Sequence, residues 1–322
     1  MYYIGIDLGG TNIAAGIVDE SGKIIIKDST PTLAQRPNAE VVEDMCALCE
    51  RIAADAGMGM DEIGAVGIGC PGTVDTRNAE VVFAANTNME KLHIGDMITA
   101  RLHKPVYADN DANAAAYGEY MINGAGAESF VLITLGTGVG GGMIIDRKLY
   151  HGFNQAGAEL GHITLVSGGE QCSCGKKGCW EAYASVTALI RQTNRAIEEH
   201  PESLMAQWVM EHGKTSGRTA FECAKQGDEA AKQVVDNYIR YVADGLVSIL
   251  NIFQPEKICL GGGISKEGDY IMKPLRELVY KDDFNRHMPK TSIETASLFN
   301  DAGIIGAALA ARDFGKGADD KK

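Results

Sequence analysis

The sequence predicts an α/β fold of two similar halves, and three observations carry that expectation. An apolar segment running into a glycine turn occurs twice, as Tyr3-Ile4-Gly5-Ile6 before Gly9-Gly10-Thr11 and as Phe130-Val131-Leu132-Ile133 before Gly136-Thr137-Gly138. At an offset of 127 residues Leu8 falls on Leu135, Gly9 on Gly136 and Asp19 on Asp146, while Ile4, Ile6, Ile17 and Val18 meet Val131, Ile133, Ile144 and Ile145. The 322 residues also suit two domains. A pair of such domains leaves a cleft between them, a common place for a ligand.

Each element has its own signal. Tyr3–Ile6, Ala15–Val18 and Ile24–Ile26, separated by glycine-bearing turns, read as a β-meander. Val42, Met45, Cys46, Cys49 and Ala53 recur near helical spacing, which predicts a helix over 39–56. Ala65–Ile68 reads as a buried strand and Val106–Ala108 as a short one, followed by Asp109-Asn110-Asp111 and an alanine-rich helix to Met121. From Glu229 to Phe253, Val234, Val235, Tyr238, Ile239, Val242, Leu246, Ile249 and Leu250 share one broad apolar face, and Pro255 ends it. Ile258–Leu260 is a further strand, and Asp301 is placed to cap a last helix through Arg312, before a tail expected to be disordered.

Composition narrows the function. The net charge of −13 argues against a phosphate-backbone binder, which needs a basic footprint, so no nucleic-acid partner is expected. The start lacks the basic and apolar regions of a signal peptide, and no apolar run approaches a membrane span, so the expected compartment is the cytoplasm, with no membrane partner. Eight cysteines in such a chain point to a metal or to structural thiols before disulfides. Cys46 and Cys49 form a CxxC on the apolar face of a helix and read as packed core thiols, as do Cys70, Cys223 and Cys259.

Three loops follow apolar strands: Asp7-Leu8-Gly9-Gly10-Thr11-Asn12, Leu135-Gly136-Thr137-Gly138 and Leu260-Gly261-Gly262-Gly263. Without a Cβ the backbone approaches a phosphate or an adenine closely, and its N–H groups form an anion nest. Asp7 stands at a strand end, suited to hold Mg²⁺ through water. Any one loop is equally well a tight turn; three in matching contexts favour a nucleotide. Gly136-Thr137-Gly138-Val139-Gly140-Gly141 also fits the dinucleotide fingerprint, but that motif requires a following helix, whereas Met143–Lys148 reads as a strand into a turn. No Walker A pattern occurs.

His162, Cys172, Cys174 and Cys179 supply one imidazole and three sulfurs, a set that suits tetrahedral Zn²⁺ with no position left open for catalysis. Gly175 and Gly178 let the chain turn between them.

The motif Asp7-Leu8-Gly9-Gly10-Thr11 with the later loops resembles the actin-like (ribonuclease H-like) sugar kinases. Gly157-Ala158-Glu159-Leu160-Gly161-His162 and Cys172-Ser173-Cys174-Gly175-Lys176-Lys177-Gly178-Cys179-Trp180-Glu181 narrow the resemblance to the ROK family (repressors, open reading frames, kinases), most like its bacterial ATP-dependent glucokinases. Gly67–Asp75, Asn110–Asn113 and Asp301–Ala308 add matches, so the resemblance covers nearly the whole chain. It implies a duplicated two-domain fold with an interdomain cleft, phosphorylation of glucose at the 6-hydroxyl by ATP and Mg²⁺, structural Zn²⁺ and a homodimer. Asn110 and Asp111 match the sugar-binding pair, with Asp111 as catalytic base; Glu159, His162 and Glu181 match the other sugar ligands, and Asn86 matches more weakly, because its surroundings lack the Pro and Trp of many members. Read without the resemblance, Asp109, Asn110 and Asp111 are a helix cap, and Glu159 and Glu181 are surface carboxylates. The expected division is a small domain over 1–116, onto which helix 302–322 packs back, and a larger one over 117–301. Another hexose (mannose, allose, fructose or N-acetylmannosamine) is the alternative substrate. A sugar-sensing repressor is a lesser one, since a winged helix has no room before Asp7.

Overall fold

The computed structural model describes residues 1–84, 87–124 and 126–315. The strands are β1 (Tyr2–Leu8), β2 (Asn12–Asp19), β3 (Ile24–Pro31), β4 (Ile63–Cys70), β5 (Thr73–Asp75), β6 (Glu80–Ala84), β7 (Met89–Leu92), β8 (Val106–Asn110), β9 (Phe130–Leu135), β10 (Val139–Ile145), β11 (Lys148–Leu149), β12 (Lys257–Gly261) and β13 (Ser292–Thr295). The helices are α1 (Asn38–Asp55), α2 (Ile94–Leu102), α3 (Asp111–Glu119), α4 (Glu181–Ala184), α5 (Val186–Glu199), α6 (Leu204–His212), α7 (Thr219–Lys225), α8 (Glu229–Phe253), α9 (Asp269–Asp282) and α10 (Ala302–Phe314).

The repeat read from the sequence is a repeat of sheet topology. One five-stranded sheet has the order β3-β2-β1-β4-β8 and another the order β11-β10-β9-β12-β13. In the first, β2 pairs antiparallel with both β1 and β3, whereas β4 lies parallel to β1 and β8 parallel to β4. In the second, β10 and β11 are antiparallel and β12 and β13 parallel. A separate sheet, β5-β6-β7, had no counterpart among the expected elements. The strand β10 over Val139–Ile145 stands where the dinucleotide motif would need a helix, which removes that reading.

Two compact units divide the chain, neither contiguous in sequence. The first comprises Met1–Leu132, Gly142–Ala158 and the chain from Ser297 on; the second comprises Ile133–Gly141 and Glu159–Ala296. The first unit therefore runs past the boundary expected at residue 116. The reason is local: α3 continues into a π turn over Tyr120–Gly124, and the Tyr120 ring packs 5.8 Å from that of Phe130. Residues 316–322, the end of the expected last helix and the expected disordered tail, lie outside the described residues.

In the first unit, Ile4, Ile6, Ile13 and Ile17 form one core with Val42, Met45, Cys46, Cys49 and Ile52 of α1 and with Val66 and Ile68 of β4. Cys46 and Cys49 are thus packed thiols. The other face is covered by α10 at backbone contact. A Cβ on Gly5 or on Gly67 would lie 1.8 Å from the carbonyl oxygen of Ile304 or Ala307, and one on Gly306 would lie 1.7 Å from that of Ala114 in α3. Asp301 does not cap this helix. It sits in helical conformation (φ −91°, ψ −9°) at the end of a 3₁₀ turn, so its carboxylate is turned from the first amides and pairs with Lys27 instead. Glu119, fully buried, accepts the N–H groups of Ser297 (2.8 Å) and Leu298 (3.1 Å) and the side-chain amide of Asn123 (2.7 Å), fixing the entry to this segment.

In the second unit, all eight apolar residues expected on one face of α8 are buried. Asp228 caps its start by accepting the Ala231 N–H at 2.7 Å, and Gln254 ends it in the left-handed region (φ 42°), just before Pro255. Trp180 is fully buried against α8 and donates its indole N–H to the Tyr241 carbonyl at 2.8 Å, seating the cysteine block on the helix. Among the described residues no helix is long and apolar enough to cross a membrane.

Candidate functional site

In the first unit the parallel strands β1, β4 and β8 end side by side. Their register pairs Asp7 with Gly69, Gly69 with Asp109 and Cys70 with Asn110. Asp7, Asp109, Asn110 and Asp111 therefore gather at the carboxyl ends of the strands, where open α/β sheets bind their ligands. Asn110 does cap α3: its Oδ1 accepts the N–H groups of Ala112 (2.9 Å) and Asn113 (3.3 Å), and its Nδ2 donates to the Gly72 carbonyl at 2.9 Å. Its second amide hydrogen is still available to a ligand, so capping and binding are compatible. Asp111 opens α3, is exposed, and accepts the Ala112 N–H at 2.8 Å. Burial first, and then the neighbouring charge of Asp111, push the Asp7 carboxyl up to about 6. Two carboxylates that raise each other's energy are suited to a cation, which reverses the effect, and Asp7 fits Mg²⁺ on that ground.

The loop after β1 is held from behind. Gly9 donates to the Asn12 carbonyl at 2.9 Å, and the buried Thr32 donates its hydroxyl to the Gly9 carbonyl (2.6 Å) and its N–H to that of Thr11 (2.8 Å). Gly10, Thr11 and Asn12 face solvent. Nothing in the sequence pointed to Thr32, a single polar residue beyond a strand end.

The second unit brings two of the glycine loops together. Gly262 is left-handed (φ +88°), and a Cβ on it would lie 2.3 Å from the Leu135 carbonyl, so the loop after β12 abuts the end of β9. The loop after β9 is pinned by the N–H of Val186 to the Gly136 carbonyl and the hydroxyl of Thr187 to that of Thr137, both 2.8 Å. Thr137 and Gly263 are exposed and Gly261 is buried.

His162, Cys172, Cys174 and Cys179 converge: one ligand atom from each lies within 4.8 Å of the others. The His162 Nδ1 is 3.7 Å from the Cys172 sulfur, and the sulfurs of Cys174 and Cys179 are 3.6 Å apart. Burial pushes Cys172 up to about 12 and raises Cys179, whereas the Lys176 N–H holds the exposed Cys174 below the usual thiol range. Three such sulfurs and an imidazole at this spacing fit Zn²⁺, which displaces thiol protons when it binds. The Nδ1 edge of His162 faces the sulfurs, so Nε2 is directed from the opposite edge of the ring.

Glu181, the first residue of α4, joins the metal block to a glycine loop. Its Oε1 accepts the Ser173 hydroxyl at 2.8 Å and lies 3.4 Å from the Cys172 sulfur; its Oε2 accepts the Val139 N–H at 3.1 Å. Gly138 leaves room for that carboxylate, since a Cβ would lie 2.4 Å from Oε2. Glu159 is exposed and starts the 3₁₀ turn that carries His162, whose N–H donates to its carbonyl at 3.1 Å. Asn86 lies outside the described residues.

One feature beyond the expected set is a histidine–carboxylate contact in the first unit. Asp109 is 2% exposed and sits 2.7 Å from His151. The two residues are 42 positions apart, and nothing in the sequence marks them as a pair.

The chain is similar to known proteins over nearly its whole length. The glucokinase of Halalkalibacterium halodurans is 37% identical over 95% of this chain and 93% of its own length. That of Streptomyces coelicolor is 39% identical over 96% and 97%. A ROK family glucokinase from Streptomyces griseus, solved in complex with glucose and AMPPNP, superposes with a TM-score of 0.82 at 36% identity, covering 97% of this chain and all of that one. The profile of the ROK family matches residues 3–313. On the fold, the cysteine block and a match of that extent, the chain belongs to the ROK family.

Proposed function

We propose that this protein phosphorylates glucose at its 6-hydroxyl with ATP. The observation that carries the reading is the full-length match, at 36% identity, to a glucokinase solved with glucose and an ATP analogue. The residues give it a mechanism. Asp111, at the exposed start of α3, accepts the proton of the 6-hydroxyl. The hydroxyl oxygen then forms its bond to the γ-phosphorus while the bond from that phosphorus to the β–γ bridging oxygen breaks, and ADP leaves. Little covalent chemistry is asked of the protein, so positioning dominates. The dipole of α3 favours the ionised form of Asp111.

In the first unit, Asn110 offers its remaining amide hydrogen to a sugar hydroxyl, the loop Gly9–Asn12 offers phosphate the N–H groups of Gly10 and Thr11 and the Thr11 hydroxyl, and Asp7 would hold Mg²⁺. Mg²⁺, when bound, neutralises charge on the phosphates. In the second unit, Glu159, His162 and Glu181 accept or donate to sugar hydroxyls, and Gly136–Gly138 and Gly261–Gly263 form the walls for the nucleotide. Zn²⁺, when bound by His162, Cys172, Cys174 and Cys179, supplies a fixed anchor for the sugar-facing residues and no open coordination. A weaker sugar contact from Asn86, a homodimer and residence in the cytoplasm belong to the same reading; light scattering after gel filtration tests the dimer.

A coupled ADP-release assay with ATP, Mg²⁺ and a sugar panel tests the activity. Turnover with glucose well above mannose, fructose, allose and N-acetylmannosamine supports it. A different preferred sugar replaces the substrate and keeps the chemistry. No turnover on any sugar, in a folded and zinc-loaded sample, overturns the kinase reading.

A further inference from the structure

A buried carboxylate two residues before the proposed base has no task in that mechanism. Asp109, at the tip of β8, is 2% exposed and has four partners. Its Oδ2 accepts the Tyr107 hydroxyl at 2.9 Å and lies 2.7 Å from the His151 Nε2. Its Oδ1 accepts the backbone N–H of Asn110 at 2.7 Å and the side-chain amide of Asn113 at 3.0 Å. One oxygen thus grips the chain on both sides of Asp111, and the other is held by side chains from outside α3. The carboxylate is planar and turns about a single bond, so whatever fixes Oδ2 also fixes Oδ1.

His151 is delivered by the segment after β11, which is itself fastened. The Gly157 N–H donates to the His151 carbonyl at 2.9 Å, and Thr76 donates its hydroxyl to Gln155 at 2.9 Å. Tyr107 is backed by the Phe314 ring at 5.6 Å. Of the two groups on Oδ2, only His151 brings a positive charge when protonated, and a charge-assisted bond is the stronger kind.

We propose that His151 is a positioning residue for phosphoryl transfer, setting through Asp109 the orientation of the Asn110 peptide and hence of Asp111. The proposal rests on the reading of Asp111 as the base. Losing the bond from His151 leaves Oδ2 held by the Tyr107 hydroxyl alone, so the buried carboxylate can settle at another angle, and the Asn110 N–H follows it. The plain alternative is a tie that serves folding alone.

The test compares His151→Ala and His151→Gln in the full zinc-loaded chain, with thermal midpoints taken first so that kinetics are read where each variant is folded. Glutamine has an amide nitrogen near the position of Nε2 and restores the donor without the ring. The expected result for His151→Ala is a kcat lower by roughly tenfold or more and a raised KM for glucose, with the KM for ATP unchanged. His151→Gln recovers most of the loss. The amide resonance of Asn110 provides a second readout that does not depend on turnover: it moves in His151→Ala and returns toward its original position in His151→Gln. A His151→Ala variant with unchanged kcat, KM and Asn110 resonance overturns the proposal, as does a glutamine variant as impaired as the alanine one. An inactive wild type would sink the kinase reading instead, and the Asn110 resonance would still decide whether His151 sets that peptide.

Discussion

The N–H of Val139 donates to the carboxylate of Glu181 at 3.1 Å, and the same carboxylate accepts the hydroxyl of Ser173 at 2.8 Å. A side chain assigned to the sugar thus spans from the cysteine block to the loop assigned to the nucleotide. The geometry makes Gly138→Ala informative, because its new Cβ would lie 2.4 Å from Oε2 and the carboxylate end must move. We expect the KM for glucose to rise by about tenfold, as for loss of a charged hydrogen bond, with a smaller change in thermal midpoint. Steady-state kinetics check it; an unchanged KM would show that this oxygen does not serve the sugar.

Asp111→Asn removes the base and keeps the shape. Because Asp111 is exposed at the start of α3, stability should change little, while kcat should fall by about 10²–10⁴. Rapid-quench measurement of glucose 6-phosphate, beside a melting curve, separates the two effects. Normal turnover would remove Asp111 from its role.

Removal of the metal should act on structure before chemistry. Cys174→Ser breaks the donor set at its exposed member. We expect zinc content, read by atomic absorption, to fall from one equivalent towards zero, with activity lost alongside and regained only when zinc binding is regained. Full activity in a zinc-free protein would refute the anchor.

The pair of His151 and Asp109 predicts a pH dependence of stability. Burial pulls the imidazole down, but the hydrogen bond and charge of Asp109, helped by a hydrogen bond to the Leu149 backbone, outweigh it and leave His151 above its ordinary value. Tyr107, the other ionisable group on Asp109, is pushed far up by burial and by the Asp109 charge, and stays neutral. A raised folded value means that this contribution is complete below about pH 6.5, the unfolded value, and is lost as pH rises through the folded one. The melting temperature of the wild type should therefore fall between pH 6 and pH 9 more than that of His151→Gln. Parallel curves for the two proteins would contradict the pairing.

Gly306→Ala tests the seat of α10. Its Cβ would fall 1.7 Å from a backbone carbonyl, which cannot step aside as a side-chain end can. A loss of at least about 1–3 kcal/mol is expected, the range for overpacking, measured by urea unfolding.

What the sequence disclosed depended on whether the signal was local. The face of α8 was legible because eight apolar residues recur at helical spacing along one 25-residue helix. The duplicated sheets were legible because strand, glycine turn and strand recur at a fixed offset, and the cysteine block because four donors lie within a short stretch. The partnership of Asp109 with His151 was not, since register and a loop bring together residues that look ordinary alone. The same holds for Thr32 behind the first glycine loop and for the Glu181 tie to Val139. Asp301 looked like a cap, but its backbone was already helical and its carboxylate found Lys27 instead. The small sheet β5-β6-β7 escaped because strands of three to five residues carry too little pattern.

The seat of α10 also sets a timetable for synthesis. Strands β1 and β4 leave the ribosome well before the helix that covers Gly5 and Gly67, which is made some 300 residues after β1. At about 5–20 residues per second that is a delay of roughly 15–60 s. For that time the newborn sheet has one face bare. The second unit is complete once Ala296 has emerged, before α10 exists. Between these two units the usual N-terminal-first order of folding is thereby reversed: the one begun first is finished last, and until then its bare sheet is open to aggregation or chaperone capture.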